Sequence, residues 1–110
     1  MRMWGIYPKL LCRKHLLGEH LEIHMFVGCI LKGKNIEGYK KGLVNILCLN
    51  SRHHFLAEEM MERGYHHNSP LPSFHIPEHK SAGYINIAEN IKALESRCPE
   101  CKEKIRRSQR

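Results

Sequence analysis

YPKLLCRKHLLGEHLEIHMFVGCIL, residues 7–31, is the stretch on which the fold turns. Leu10, Leu17, Leu21 and Met25 recur along it at helical spacing, and Pro8 suits a first helical turn, so a long helix is predicted over 7–31. The same reasoning places a second helix over 43–63. There Leu49, His53, Leu56 and Met60 form an i, i+4 seam, and Gly64 ends it. A third helix is predicted over 85–97, with Ile87, Ile91 and Leu94 facing inward. Between the first two lies Lys32-Gly33-Lys34-Asn35-Ile36-Glu37-Gly38-Tyr39-Lys40-Lys41-Gly42, a loop by its three glycines and a basic one by its four lysines. The stretch Asn68-Ser69-Pro70-Leu71-Pro72-Ser73-Phe74-His75-Ile76-Pro77 carries three prolines and reads as an extended surface connection. The tail, 98–110, is basic and either frays or continues as a short helix. No segment alternates with the period of a strand. The expectation is an all-α fold: one domain over 1–110, three helices around one core, and an N-terminal arm packed near the first helix.

A chain of 110 residues can bury a moderate core without staples. Its net charge of +7 favours polyanions, because each cation placed on a phosphate releases condensed counterions. No run approaches the roughly 20 apolar residues of a membrane span, and the start lacks the pattern of a secretory leader. The five cysteines are an odd number without such a leader, so reduced thiols and a cytoplasmic setting are expected.

The first helix carries a polar stripe. His15, Glu19 and Glu22 stand at i, i+4 and i+7, within an arc of about 60° at 100° per residue. Such a stripe is ordinarily a solvated face, but this one follows directly on the N-terminal arm, where a terminal amine and a carboxylate can meet. Met1-Arg2-Met3-Trp4, followed at unbroken spacing by His15-Leu16, Glu19, Glu22 and Gly28, resembles the start of the pyrimidine-dimer DNA glycosylase family, the phage-type endonuclease V enzymes. Ala57-Glu58-Glu59-Met60-Met61-Glu62-Arg63-Gly64-Tyr65 is similar to the end of that family's second helix, and Tyr65-His66-His67-Asn68-Ser69-Pro70-Leu71 resembles its cellular members.

The resemblance implies a DNA repair glycosylase with AP-lyase activity. The α-amine of the first residue attacks the sugar C1′ of a damaged pyrimidine nucleotide, and a Glu assists elimination of the 3′ phosphate. An α-amine suits that role: with an ordinary pKa of about 7.7–8.0, about a third of it is neutral near pH 7.5, against roughly one Lys in a thousand. Carried over by position, the amine is that of Met1 and the carboxylate that of Glu22, with supporting contacts from Arg2 and His15. Glu19 is structural or a partner on the helix face. Arg2 is bulky enough to keep Met1 in place.

Two departures bear on the substrate. Leu21 and Met25 occupy positions that are basic in the phage enzyme, and Cys98-Pro99-Glu100-Cys101-Lys102 replaces its aromatic tail. Lys32, Lys34, Lys40 and Lys41, with Arg106 and Arg107, are the candidate phosphate contacts in their stead, and His66 and His67 are candidates facing the cleft. The expected partner is double-stranded DNA with damaged or abasic sites, bound by a monomer without a cofactor.

Metal binding is the other chemistry to weigh. His20-Leu21-Glu22-Ile23-His24 lacks the Glu directly after the first His that a zinc-protease helix needs, although His20 and His24 could chelate at i, i+4. Cys98 and Cys101 form a CxxC half-site, which would need two of His75, His79, Cys12, Cys29 or Cys48, or a second chain, to complete a zinc site. The alternative function is therefore a non-catalytic nucleic-acid-binding module, zinc-stapled through that pair.

Overall fold

The structure, a computed structural model, describes residues 1–76 and 81–109. His79, and Pro77 at the end of the proline-rich connection, lie outside them. The described residues hold four α-helices: α1 (Arg13–Leu31), α2 (Leu49–Glu62), α3 (Ile87–Arg97) and α4 (Pro99–Ser108). They also hold two short strands, β1 (Lys41–Gly42) and β2 (Tyr84–Ile85), paired in parallel. The chain is mostly helical, as expected; the tail takes the helical one of its two expected forms, making a fourth helix beyond the three expected around the core, and the small sheet was not expected.

The first helix begins later than its periodicity implies. Pro8 opens a 3-10 turn, Pro8–Leu10, after which Leu11 and Cys12 are extended and α1 starts at Arg13. The reason lies just past the end of α2: the Arg63 guanidinium donates to the carbonyls of Leu11 at 2.7 Å and Pro8 at 3.2 Å, taking up acceptors of the first turn. The inward face of α1 also differs. Leu16, Glu19, His20, Ile23, Phe26 and Val27 are buried, whereas Leu21 and Met25 are 60% and 46% exposed. Apolar residues surround so much of this helix that spacing alone does not choose a face.

In α2 the seam of Leu49, His53, Leu56 and Met60 is buried throughout, as expected. The helix itself starts six residues later than position 43, because Val44 is buried in the lead-in and Ile46–Cys48 is a 3-10 turn. Ile85 is spent in β2, and α3 begins after Asn86, whose side chain accepts from the Glu89 amide at 3.1 Å. Leu94 is fully buried, Ile91 partly, and Ile87 is 40% exposed. The tail does not fray: Cys98 caps α4, Pro99 takes its first position, and Cys101 and Ile105 face the core.

The two-residue strands are too short for alternation to show in sequence. Their function is to gather segments. Gly42 O accepts from the Asn86 amide and Leu43 O from the Met3 amide, both at 2.8 Å, so the arm, the end of the basic loop and the start of α3 meet at one edge. Gly83 sits there at φ +81°, and a Cβ at this position would run into the Val44 carbonyl.

At the centre, Arg52 of α2 forks onto Glu19 of α1, with Nε to Oε2 at 2.6 Å and Nη2 to Oε1 at 2.9 Å. Glu19 is fully buried, and burial by itself raises its pKa; the Arg52 guanidinium and the backbone amides of Trp4 and Gly5 act against that. The net shift is upward, yet two parallel bonds to one guanidinium favour the carboxylate form. Removing one partner of such a pair strands the other, at about 3–5 kcal/mol. Arg52→Met should therefore lower unfolding stability by about that amount in denaturant titrations. A loss below about 1 kcal/mol would show that the pair is not central.

Candidate active site

The N-terminal arm lies against α1 and is held from both sides. Asn90 of α3, 1% exposed, donates from its amide to the carbonyls of Met3 and Trp4, both at 2.9 Å. Its oxygen accepts from Arg2 Nη1 at 3.1 Å, and the Arg2 guanidinium stands 4.7 Å from the centre of the Trp4 ring. At the start of the arm the Arg2 amide donates to Glu22 Oε2 at 3.2 Å. Met1 thus precedes a residue whose own backbone is bonded to the Glu22 carboxylate. Glu22 is partly exposed on α1, three positions past the buried Glu19.

The Arg2 guanidinium and the His15 ring both feel this carboxylate. Burial and then Arg97 lower the Arg2 pKa, with Glu22 acting in the opposite sense, and the guanidinium remains a cation. His15 is shifted down by burial and then by Lys14, and it too feels both Glu22 and Arg97. Asn90 and Arg97 are residues the sequence reading missed. Nothing local marks them, since both reach the arm only through the packing of α3.

The expected phosphate contacts divide. Lys32, Lys34, Lys41, Arg106 and Arg107 are exposed. Lys40 is 5% exposed and pairs with Glu37 at 2.8 Å, so its ammonium is turned inward instead of outward with the loop. Arg106 and Arg107 both bind Glu103 on their own helix. Leu21 and Met25 stand exposed on the same side of α1 as Glu22. Glu22 lines neither of two clefts, one of about 340 Å³ between Pro8 and α2 and one of about 390 Å³ beside Lys34 and Ile36.

Two groups of potential metal ligands occur among the described residues: Cys12, His15, Cys98 and Cys101, and His20, His53 and His67. In the first, burial pushes the Cys101 thiol up to about 12. His75, Cys29 and Cys48 are not members of it. The second joins α1, α2 and the segment after α2. His20 Nε2 and His67 Nε2 are 2.8 Å apart, and the Nε2 atoms of His24 and His53 each lie 3.0 Å from the Ser69 carbonyl. One imidazole N–H can serve the first contact and two the carbonyl. His66 is exposed beside this cluster and His67 is part of it.

A family model for pyrimidine dimer DNA glycosylase matches residues 1–73, which include Met1, Arg2, His15, Glu19, Glu22 and Arg52. The chain belongs to the pyrimidine dimer DNA glycosylase family. Comparisons with curated proteins and with solved structures gave no match. The family is one of DNA repair glycosylases, and its substrate class is damaged DNA. No helix among the described residues is long and apolar enough to cross a membrane. Asn90, Cys98 and Cys101, which close over the arm and the start of α1, lie beyond the matched residues.

The histidine cluster makes a pH prediction. Burial, and then His53, His24 and His67, pull His20 down to about 4. An unfolded chain takes up this proton at its ordinary value near 6.5, the folded one only near 4, so the contribution is complete above pH 6.5 and is lost as pH falls toward 4. It should amount to something on the order of 2 kcal/mol. The stability advantage of the wild type over His20→Gln, measured by denaturant midpoints, should shrink across that range. An advantage independent of pH would mean that His20 is not held neutral.

Proposed function

We propose that this chain is a DNA glycosylase with AP-lyase activity, acting on duplex DNA with damaged pyrimidines, cyclobutane dimers among them, through an imine formed by the α-amine of Met1. The observation that carries the reading is the hydrogen bond from the Arg2 amide to Glu22 at 3.2 Å, within the stretch matched to the family. That bond holds the residue next to Met1 against a part-exposed carboxylate, with the Arg2 guanidinium close by, which supports reading Met1 and Glu22 as a pair.

The neutral amine of Met1 attacks C1′ of an extruded nucleotide. The new N–C bond forms as the glycosidic bond breaks, and the base leaves with the bonding pair and takes up a proton. Loss of a proton from nitrogen and opening of the sugar ring give the imine. A base then removes a C2′ proton, the C3′–O bond breaks, and the 3′ phosphate departs. Water hydrolyses the imine and regenerates the amine. Glu22 is the group that accepts and returns protons in these steps and balances the cationic imine in its protonated form. Arg2, His15 and Arg97 flank it, and Lys32, Lys34, Lys41 and His66 are available to more distant phosphates.

Glu22→Gln keeps the size of the side chain and an acceptor for the Arg2 amide. It should bind duplex DNA as the wild type does while cleaving abasic or dimer-containing strands about a hundredfold or more slowly, the usual scale for a lost acid–base group. Undiminished cleavage would remove Glu22 from the mechanism. A protein that binds damaged duplex but leaves it intact would favour the non-catalytic binding module.

A further inference from the structure

We propose that Cys12, His15, Cys98 and Cys101 form a structural zinc site that fastens the α3–α4 turn to the start of α1 and, through His15, steadies the N-terminal arm.

Two half-sites of identical construction face each other. Cys12 is the N-cap of α1 and His15 its third residue; Cys98 is the N-cap of α4 and Cys101 its third residue. The x2 spacing within each pair lets both members reach one ion, as in zinc knuckles. Their ligand atoms all lie within 4.8 Å of one another. Cys12 Sγ is 3.7 Å from Cys98 Sγ and 3.2 Å from His15 Nδ1, and Cys101 Sγ is 3.6 Å from His15 Nδ1. Zinc–sulfur bonds of about 2.3 Å and zinc–nitrogen bonds of about 2.0–2.1 Å give tetrahedral edges of roughly 3.5–3.8 Å, so the donors need only small shifts to close on an ion.

Backbone amides point at two of the sulfurs. The Cys12 amide donates to Cys101 Sγ at 3.2 Å, and the Cys101 amide to Cys98 Sγ at 3.4 Å. Two helix N-termini converge on the cluster, each favouring negative charge. A disulfide fits less well, because any pairing of three thiols leaves one thiol and an imidazole over. Soft thiolates with one imidazole select zinc among common divalent ions, and four protein ligands leave no open position, the mark of a structural site.

The site reaches the proposed catalytic face through one side chain. The ring of Trp4 meets His15 edge-on, with centroids 5.6 Å apart, and carries the Arg2 guanidinium on its other contact. The metal would hold α3, and with it Asn90, over the arm. The metal site stands apart from the glycosylase reading, because its test needs no DNA.

Elemental analysis of the purified chain should find about one zinc per chain. Apoprotein refolded with Co²⁺ should give the thiolate-to-cobalt charge-transfer band and the intense visible bands of a tetrahedral site. Trp4, the chain's single tryptophan, should then be quenched relative to the zinc form. Cys98→Ser and Cys101→Ser should lose the metal, while Cys48→Ser, whose thiol lies outside the cluster, should keep it. If the first two fail to fold, the cobalt spectrum and Trp4 quenching of the wild type still decide the matter. Cobalt without a thiolate band, substoichiometric zinc, a Cys12–Cys98 disulfide, or metal lost from His20→Ala but kept by Cys98→Ser would each overturn the proposal.

Discussion

The fork between Arg52 and Glu19 is the constraint on which the remaining structure depends. A carboxylate cannot be buried without partners, and Glu19 finds its own in two segments distant in sequence: the guanidinium from α2 and the amides of Trp4 and Gly5 from the arm. Ordering Glu19 therefore sets the packing of α1 on α2 and the path of the arm together. Glu22 follows one turn later on α1, and the arm, running back from Gly5, brings the Arg2 amide to it. One helical face thus carries a buried carboxylate, paired with Arg52, and a part-exposed one that meets the arm.

This division explains what could be read from the sequence. The stripe of His15, Glu19 and Glu22 was visible from spacing, and its register pointed to the family. Which of the two glutamates is buried was not visible, since the answer lies in Arg52, 33 positions away from Glu19. The α2 seam was readable because Leu49, Leu56 and Met60 recur on one face and that face is the buried one. The α1 face was misread because Leu21 and Met25 fit the helical period as well as the buried residues do. The late start of α1 depends on Arg63, whose guanidinium reaches back to Pro8 and Leu11. Two-residue strands leave no periodic trace, and Lys40 looked like its exposed neighbours until packing paired it with Glu37.

The C-terminal helices add a second layer of control. Residues 1–73, the stretch matched to the family, contain the arm, Glu22 and the buried ion pair, yet the arm is closed over by Asn90 from beyond that stretch. Cys98 and Cys101 fasten the same hairpin to Cys12 and His15. Half of that cluster was visible as a CxxC pair. The other half, a Cys and a His one helical turn apart, gains meaning only when α4 is folded against α1.

The central claim is that the amine of Met1 is the nucleophile, and covalent trapping tests it most directly. Borohydride added to the chain with duplex DNA bearing an abasic or dimer site should reduce the imine to a stable adduct, and peptide mapping should locate the attachment at the α-amine of Met1. A single residue placed before Met1 displaces that amine by up to about 3.5 Å, enough to cost about a hundredfold or more in a reaction that needs close approach, so the extended chain should not trap. An adduct on a lysine, or equal trapping by the extended chain, would contradict the account.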